Sequence, residues 1–259
     1  MIPALVGVHV LLVEDDLFHQ VLVKNLLNNA GVQISISNNG VEALQAIKIE
    51  RFSAVLMDIL MPVMNGLETT RLVRKEFSYE ELPIIAMTAN ASEEQQQQYL
   101  AEGMNECIPK PIHFQSLYDI LIRTTHHKFQ TNAQENFSFE NPAEMNVGFR
   151  PEISIERVGS KEIFLYMLDK FILNYEQSVK KILNAVTSNN LEEARRVTHS
   201  LKGAAATVGT PLLFESARQL ELALTAEESW KYLPLIDRLR KELYRAVNAI
   251  DIYLNTGTA

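Results

Sequence analysis

Two rhythms of apolar residues divide the chain. In the first half, short β-rich runs at Val8–Val13, Gln33–Ser37, Ala54–Met57, Ile84–Met87 and Glu106–Ile108 alternate with helical spacing at stretches such as Phe18–Asn29, Val41–Glu50 and Leu67–Phe77. These stretches stop near Gly31 or at polar breaks, as helix ends do. Strand followed by helix, five times over, predicts a parallel sheet covered by helices on both faces. The first run, VHVLLV, is nearly continuous in apolar residues, which suits a strand buried on both sides.

The second half carries no strand pattern. Phe164, Leu168, Phe171, Tyr175, Val179, Ile182 and Val186 step by three or four residues. So do Leu213, Ala217, Leu220 and Leu224, and then Leu233, Ile236, Leu239, Leu243, Val247, Ile250 and Leu254. Another stripe runs from Leu191 to Val208. Asn190 with Glu193 predicts an N-cap, and Thr210-Pro211 a cap followed by proline at the first helical position. Four amphipathic helices on short joints predict an antiparallel four-helix bundle.

Between the halves all periodicity is lost, and Asn, Gln and Thr dominate. The expected organisation is an α/β domain over 6–125, a linker over 126–149 and an all-α domain over 150–255. Phe129, Phe137 and Phe139 in the linker either dock on a domain or stand exposed. The run Gln95–Gln98 reads as a solvated helix face.

Composition narrows the function classes. With 259 residues, 47% hydrophobic and 22% charged, the chain can bury two cores. Its net charge of −8 disfavours general attraction to nucleic acid or anionic lipid. Most of the excess acid lies early: residues 1–124 hold 8 Lys+Arg against 15 Asp+Glu, and the remainder 16 against 17. A single cysteine, Cys107, excludes an internal disulfide framework and favours a reducing, cytoplasmic compartment. No apolar run approaches the ~20 residues of a membrane span, and no export signal opens the sequence. Any membrane anchor is expected in a longer parent chain.

In an open α/β sheet the site lies beyond the carboxyl ends of the strands. The residues there are Glu14-Asp15-Asp16 after the first strand, Asp58 after the third, Thr88 at the fourth and Lys110 after the fifth. Carboxylates converging in one place repel unless positive charge lies between them. Oxygen ligands with room for water suit Mg²⁺. A carboxylate can attack a phosphoryl group, and the protein then helps mainly by neutralising its oxygens. Mg²⁺ can cover one oxygen, Lys110 another, and the Thr88 hydroxyl or a nearby backbone N–H a third. Pro109 and Pro111 hold the lysine, with scope for a cis bond before Pro111, and Pro109 suits an edge strand.

The stretches VLLVEDD, LMDILMPVMNGLE, IIAMTAN and GMNECIPKPI resemble, in order and spacing, the signatures of the receiver domain of two-component response regulators. The resemblance implies a flavodoxin-like, doubly wound sheet of five strands in the order 2-1-3-4-5. It implies Asp58 as phosphoacceptor, Asp15 as a direct Mg²⁺ ligand, Glu14 acting on the metal through water, and the Leu60 carbonyl completing the set. Thr88 and Lys110 would bind phosphoryl oxygens. The family usually carries an aromatic residue three places before the lysine, where this chain has Cys107, so its usual aromatic switch is missing. Cys107 itself reads as a small buried side chain without a redox role.

The helical half contains THSLKGAAATVG, from Thr198 to Gly209. The apolar spacing places His199 on the face away from the core with Arg195, Lys202 and Gly203. Leu191, Ala194, Val197, Thr198, Leu201, Ala204, Ala205 and Val208 fall on the other face. A neutral imidazole is a competent nucleophile near pH 7, and Lys202, with help from Arg195, can balance a phosphoryl group. Gly203 leaves room for a partner. The pattern RRVTHSLKGAAATVG on the second long helix resembles the histidine-containing phosphotransfer (Hpt) domain. That resemblance implies phosphorylation of His199, support from Lys202 and clearance at Gly203. His9, His19, His113, His126 and His127 lack such a neighbourhood, and no zinc-ligand spacing links them.

The expected function is a phosphorelay in which Asp58 takes a phosphoryl group from an upstream histidine kinase. His199 then exchanges one with a receiver aspartate, Asp58 or one on a downstream response regulator. Two alternatives are a receiver–Hpt segment of a hybrid sensor histidine kinase and a phosphate-independent docking module. ATP-binding glycine boxes and a dimerisation histidine helix are missing, so the chain is not expected to be an ATP-dependent kinase by itself. A phosphatase with an Asp nucleophile would need a general acid where Leu60 stands. No helix-turn-helix pattern points to DNA.

Overall fold

Every predicted strand is present: β1 (His9–Val13), β2 (Gln33–Ser37), β3 (Ala54–Asp58), β4 (Ile84–Thr88) and β5 (Glu106–Pro109). All pair in parallel, in the order β2-β1-β3-β4-β5. In this computed structural model, residues 2–89, 92–125 and 148–256 are described, and the chain divides into two compact units, 1–134 and 135–259. Most of the predicted linker, with Phe129, Phe137, Phe139, His126 and His127, lies outside the described residues.

β1, β3 and β4 occupy the inside of the sheet, and β3 and β4 are buried throughout, because their runs offer apolar side chains to both faces. The helices are α1 (Leu17–Ala30), α2 (Gly40–Ile49), α3 (Gly66–Val73), α4 (Glu93–Ala101) and α5 (Phe114–Thr125). Leu11, Val13, Val55, Met57, Ile84 and Ala86 form one core with Ala43 and Ile47 of α2, Val73 of α3 and Tyr99 of α4. α1 and α5 are joined by the Tyr118 hydroxyl, which donates to the Leu26 carbonyl at 2.7 Å. Pro109 stands on the edge strand, where its missing N–H leaves no ladder partner unserved. The Lys110–Pro111 bond is cis.

Local chemistry sets the helix ends nearest the carboxyl edge of the sheet. Asp16 caps α1 by accepting from the Phe18 and His19 amides at 2.9 and 3.2 Å. Asn65 and Glu68 form a reciprocal capping box at the start of α3. A Cβ on Gly66 would collide with the Asp58 carbonyl oxygen, so the glycine lets α3 begin directly against the end of β3. α3 stops at Val73, short of the expected Phe77, where turn hydrogen bonds from Lys75 and Glu76 replace the helical ladder.

The second unit departs from four plain helices. It contains α6 (Pro151–Val158), α7 (Lys161–Tyr175), α8 (Ser178–Thr187), α9 (Leu191–Val208), α10 (Pro211–Thr225) and α11 (Tyr232–Thr256). The helix expected from Phe164 to Val186 is broken at Glu176–Gln177, and the apolar stripe runs straight through the break. α8, α9, α10 and α11 pack as the four-helix bundle, and α6 and α7 pack onto it. Three residues join α8 to α9 and two join α9 to α10, so these neighbours run antiparallel. Asn190 caps α9 by accepting from the Glu193 amide at 3.1 Å. Thr210 does not cap α10 through its side chain: its hydroxyl donates back to the Ala205 carbonyl at 3.0 Å, while Pro211 takes the first turn as expected.

Candidate functional site

The parallel register brings four strand ends to one edge. Asp58 is the last residue of β3 and lies opposite Met87, one residue before Thr88, which lies opposite Pro109 on β5. Lys110 follows directly, its amide donating to the Thr88 carbonyl at 2.7 Å. Its ammonium turns inward, 2.7 Å from Glu14 Oε2 and 3.0 Å from Asp58 Oδ2. Glu14, Asp58 and Lys110 are all buried. Glu14, Asp15 and Asp58 each offer a carboxylate oxygen, all within 4.8 Å of one another. Asp16, the remaining acid of the sequence run, is committed to the cap of α1.

One lysine among three carboxylates leaves negative charge in excess. Burial, then the Glu14 carboxylate, push the Asp58 carboxyl up to about 7 against the pull of Lys110. Burial works on Glu14 in the same direction, but Lys110 and His19 outweigh it and hold Glu14 below the ordinary carboxylate range. Against the cost of its burial, Asp58 and Glu14 raise Lys110 above the usual lysine value. Asp58 Oδ1 is buried and has no hydrogen-bond partner among the described residues. An orphaned carboxylate oxygen beside two further acids fits a hard cation, which takes oxygen ligands and offsets their repulsion. Leu60, in the loop after β3, has an exposed side chain.

His19 was given no part by its sequence neighbourhood, yet it adjoins the pocket. Its ring is buried, with Nδ1 3.5 Å from Glu14 Oε1 and 3.8 Å from Asp16 Oδ1. The Thr88 hydroxyl is buried and lies 3.2 Å from the Tyr99 hydroxyl of α4. Cys107 is half-buried, and burial pushes its thiol up to about 12.

In the helical unit, His199, Lys202 and Gly203 do not form the open face that the spacing predicts. The His199 side chain is 13% exposed and that of Lys202 is 8% exposed, and Gly203 is buried. The reason is α10. Its Glu221 reaches across so that Oε1 lies 2.5 Å from His199 Nδ1 while Oε2 accepts from Lys202 Nζ. Burial pushes the Glu221 carboxyl up, but the His199 hydrogen bond and the Lys202 charge win, leaving it at about 2. Arg195 remains exposed, and Ala194, Val197, Thr198, Leu201, Ala204, Ala205 and Val208 form the buried face as predicted. Sequence reasoning missed Glu221, although Ala217, Leu220 and Leu224 around it place it beside the apolar stripe of α10.

Two family models match the chain. Residues 10–122 match the response regulator receiver domain, and residues 166–249 match the Hpt domain. The chain is a receiver domain followed by an Hpt domain. The two domains support a phosphorelay role in two-component signalling, and two relatives that align over most of the chain are sensor proteins. The sensor histidine kinase GacS of Pseudomonas protegens is 28% identical over 241 residues, covering 87% of this chain and 25% of the relative. The aerobic respiration control sensor protein ArcB of Escherichia coli K12 is 28% identical over 225 residues, covering 85% of this chain and 28% of the relative. The chain therefore spans about a quarter of the length of these relatives. Among solved structures, the receiver domain of sensor histidine kinase PA1611 from Pseudomonas aeruginosa PAO1 carries a magnesium ion in its active-site cleft. It is 34% identical, with a TM-score of 0.43, and covers 46% of this chain and 98% of that one. No helix among the described residues is long and apolar enough to cross a membrane.

Proposed function

We propose that Asp58 is the phosphoacceptor of the receiver and His199 the phosphorylated residue of the Hpt domain. The observation that carries the reading is the orphaned Asp58 oxygen in a pocket that already holds Lys110. In the first step Asp58 Oδ1 attacks the phosphorus of a phosphohistidine on an upstream histidine kinase. The new P–O bond forms as the P–N bond breaks, and the imidazole leaves with the bonding pair and a proton on its other nitrogen. Lys110 and the Thr88 hydroxyl would bind phosphoryl oxygens as the product forms. Glu14, Asp15, Asp58 and the Leu60 carbonyl would hold Mg²⁺, which supplies positive charge to offset the carboxylates and the phosphoryl oxygens when bound.

At the second station Glu221 accepts from His199 Nδ1–H, which fixes the tautomer and leaves Nε2 with its lone pair. Nε2 attacks the acyl phosphate of a receiver aspartate, either Asp58 or one on a separate response regulator. The P–O bond to the aspartate breaks and a carboxylate leaves. The imidazole gains a positive charge that Glu221 already faces, and Lys202 stands beside it to meet the phosphoryl group.

A donor domain carrying labelled phosphohistidine tests the assignment through the stability of the bound label. An acyl phosphate is lost in alkali, whereas a phosphoramidate survives alkali and is lost in acid. Asp58→Asn removes the first class and His199→Gln the second. Alkali-labile label on Asp58→Asn would contradict the assignment.

A second reading places the chain as the receiver–Hpt portion of a hybrid sensor histidine kinase. The collinear match to about a quarter of GacS and of ArcB favours it. Phosphoryl transfer to Asp58 from the kinase domain of the same polypeptide tests it.

A further inference from the structure

Cys107 stands where the family usually places its switching aromatic, and the structure puts a different aromatic against the same hydroxyl. Ala86 of β4 pairs with Cys107 of β5, and Thr88, two residues after Ala86, faces the same side of the sheet. That side is covered by α4, whose one buried residue among those described is Tyr99. The Tyr99 ring belongs to the core cluster against which Cys107 packs, so a small residue on β5 faces a core that a large residue on α4 helps to fill. Its hydroxyl lies 3.2 Å from Thr88 Oγ1 and donates to Gln95 Oε1 at 3.5 Å.

We infer that Tyr99 is the positioning residue for the Thr88 hydroxyl and the route by which a phosphoryl group on Asp58 is felt at α4. The inference rests on the reading of Asp58 as phosphoacceptor and of Thr88 as a ligand of the phosphoryl oxygens. Hydrogen-bond accounting supplies the mechanism. A threonine hydroxyl has one proton to give and lone pairs to receive. In the resting chain Tyr99 gives its proton to Gln95, so we assign the Thr88 proton to the Tyr99 oxygen. When the Thr88 proton turns to a phosphoryl oxygen, only lone pairs remain for Tyr99. The Tyr99 O–H then turns from Gln95 to Thr88, and Gln95, in the first turns of α4, loses its donor. No bond to hydrogen breaks; the direction of donation reverses along a chain of three side chains. The aromatic at the Cys107 position is thus not needed, because the ring and hydroxyl arrive from the helix.

Beryllofluoride with Mg²⁺, used as the phosphoryl mimic on the full chain, tests this by amide hydrogen exchange over 93–101. In the wild type, saturating beryllofluoride is expected to speed exchange in the first turns of α4. In Tyr99→Phe, which keeps the ring and removes only the hydroxyl, exchange starts at the faster level and beryllofluoride adds no further change. A Tyr99 that serves packing alone would shift the baseline of the variant and leave its response intact, and that result would overturn the inference. Tight beryllofluoride binding by both proteins with no wild-type response at α4 would also overturn it. Failure of the wild type to bind beryllofluoride would instead remove the phosphoacceptor reading, and this inference with it.

Discussion

His199 Nδ1 lies 2.5 Å from Oε1 of Glu221, a carboxylate carried on the next helix of the bundle and shared with Lys202. Under the proposed role of His199 the contact would orient the imidazole, keep its proton on the nitrogen away from the reacting one, and face the charge that develops on the ring. Glu221→Ala is expected to slow phosphoryl transfer to His199 by about tenfold to a hundredfold, the scale of one charge-assisted hydrogen bond. Glu221→Gln, which keeps an acceptor but loses the charge, should fall between. Single-turnover transfer from a phosphorylated receiver measures both, and an unchanged rate in Glu221→Ala would remove the positioning role.

The same carboxylate ties the stability of the helical unit to pH. Glu221 is held at about 2 against an ordinary value of 4.5, so its folded form binds the proton less readily than the unfolded form. The stability it contributes is complete above about 4.5 and is lost as pH falls toward about 2. Calorimetric scans between those limits should show the wild-type helical transition approaching that of Glu221→Gln as the acid limit is reached. Parallel pH profiles for the two proteins would contradict this linkage.

Asp58 has the opposite sign. Its carboxyl is pushed up to about 7 from 3.8, so the folded state holds a proton that the unfolded state has released. Its contribution is present below about 4 and is lost as pH rises through about 7. Asp58→Asn should therefore stabilise the receiver unit at pH 8, by on the order of 1 to 3 kcal/mol, and change little at pH 4. Added Mg²⁺ should give the wild type part of the same gain and give Asp58→Asn less. Calorimetry in chelator and in Mg²⁺ measures both effects, and equal Mg²⁺ responses would speak against Asp58 as a ligand.

Lys110 joins two buried acids, and its loss leaves them facing one another. Lys110→Met should cost about 3 to 5 kcal/mol of receiver stability in chelator, the usual penalty for removing one partner of a buried pair. The same variant should lose phosphoryl acceptance at Asp58 even where Mg²⁺ restores the fold. Retention of wild-type acceptance would exclude Lys110 from the phosphoryl site.

Cys107 should behave as an inert thiol. With its ionisation pushed up to about 12 by burial, little thiolate forms near pH 8. Alkylation by iodoacetamide is expected to run at least about a hundredfold slower in the folded chain than in denaturant. Rapid labelling of the native protein would show a more open β5 than the structure has.

The receiver was legible because its inner strands β1, β3 and β4 are buried on both faces. VHVLLV and AVLMD cannot hide as amphipathic helices, and each strand end delivers its polar residue to one edge. Asp58 and Lys110 could thus be paired before any distance was known. Three features escaped for physical reasons. The break between α7 and α8 leaves no trace because Tyr175 and Val179 keep the apolar step across it. The burial of His199 and Lys202 depends on Glu221, whose partners are 22 and 19 residues away in sequence and meet it only by helix packing. Tyr99 sits at the end of a glutamine run that reads as solvent-facing, and its partner Thr88 lies on a strand.

The pocket around Asp58 is the point on which the account turns, and chemical trapping of an acyl phosphate tests it most directly. The purified chain, treated with acetyl phosphate and Mg²⁺ and then reduced with borohydride, is predicted to carry homoserine at position 58 by peptide mass spectrometry. Reduction at another carboxylate, or an unmodified Asp58 in a folded chain, would contradict it.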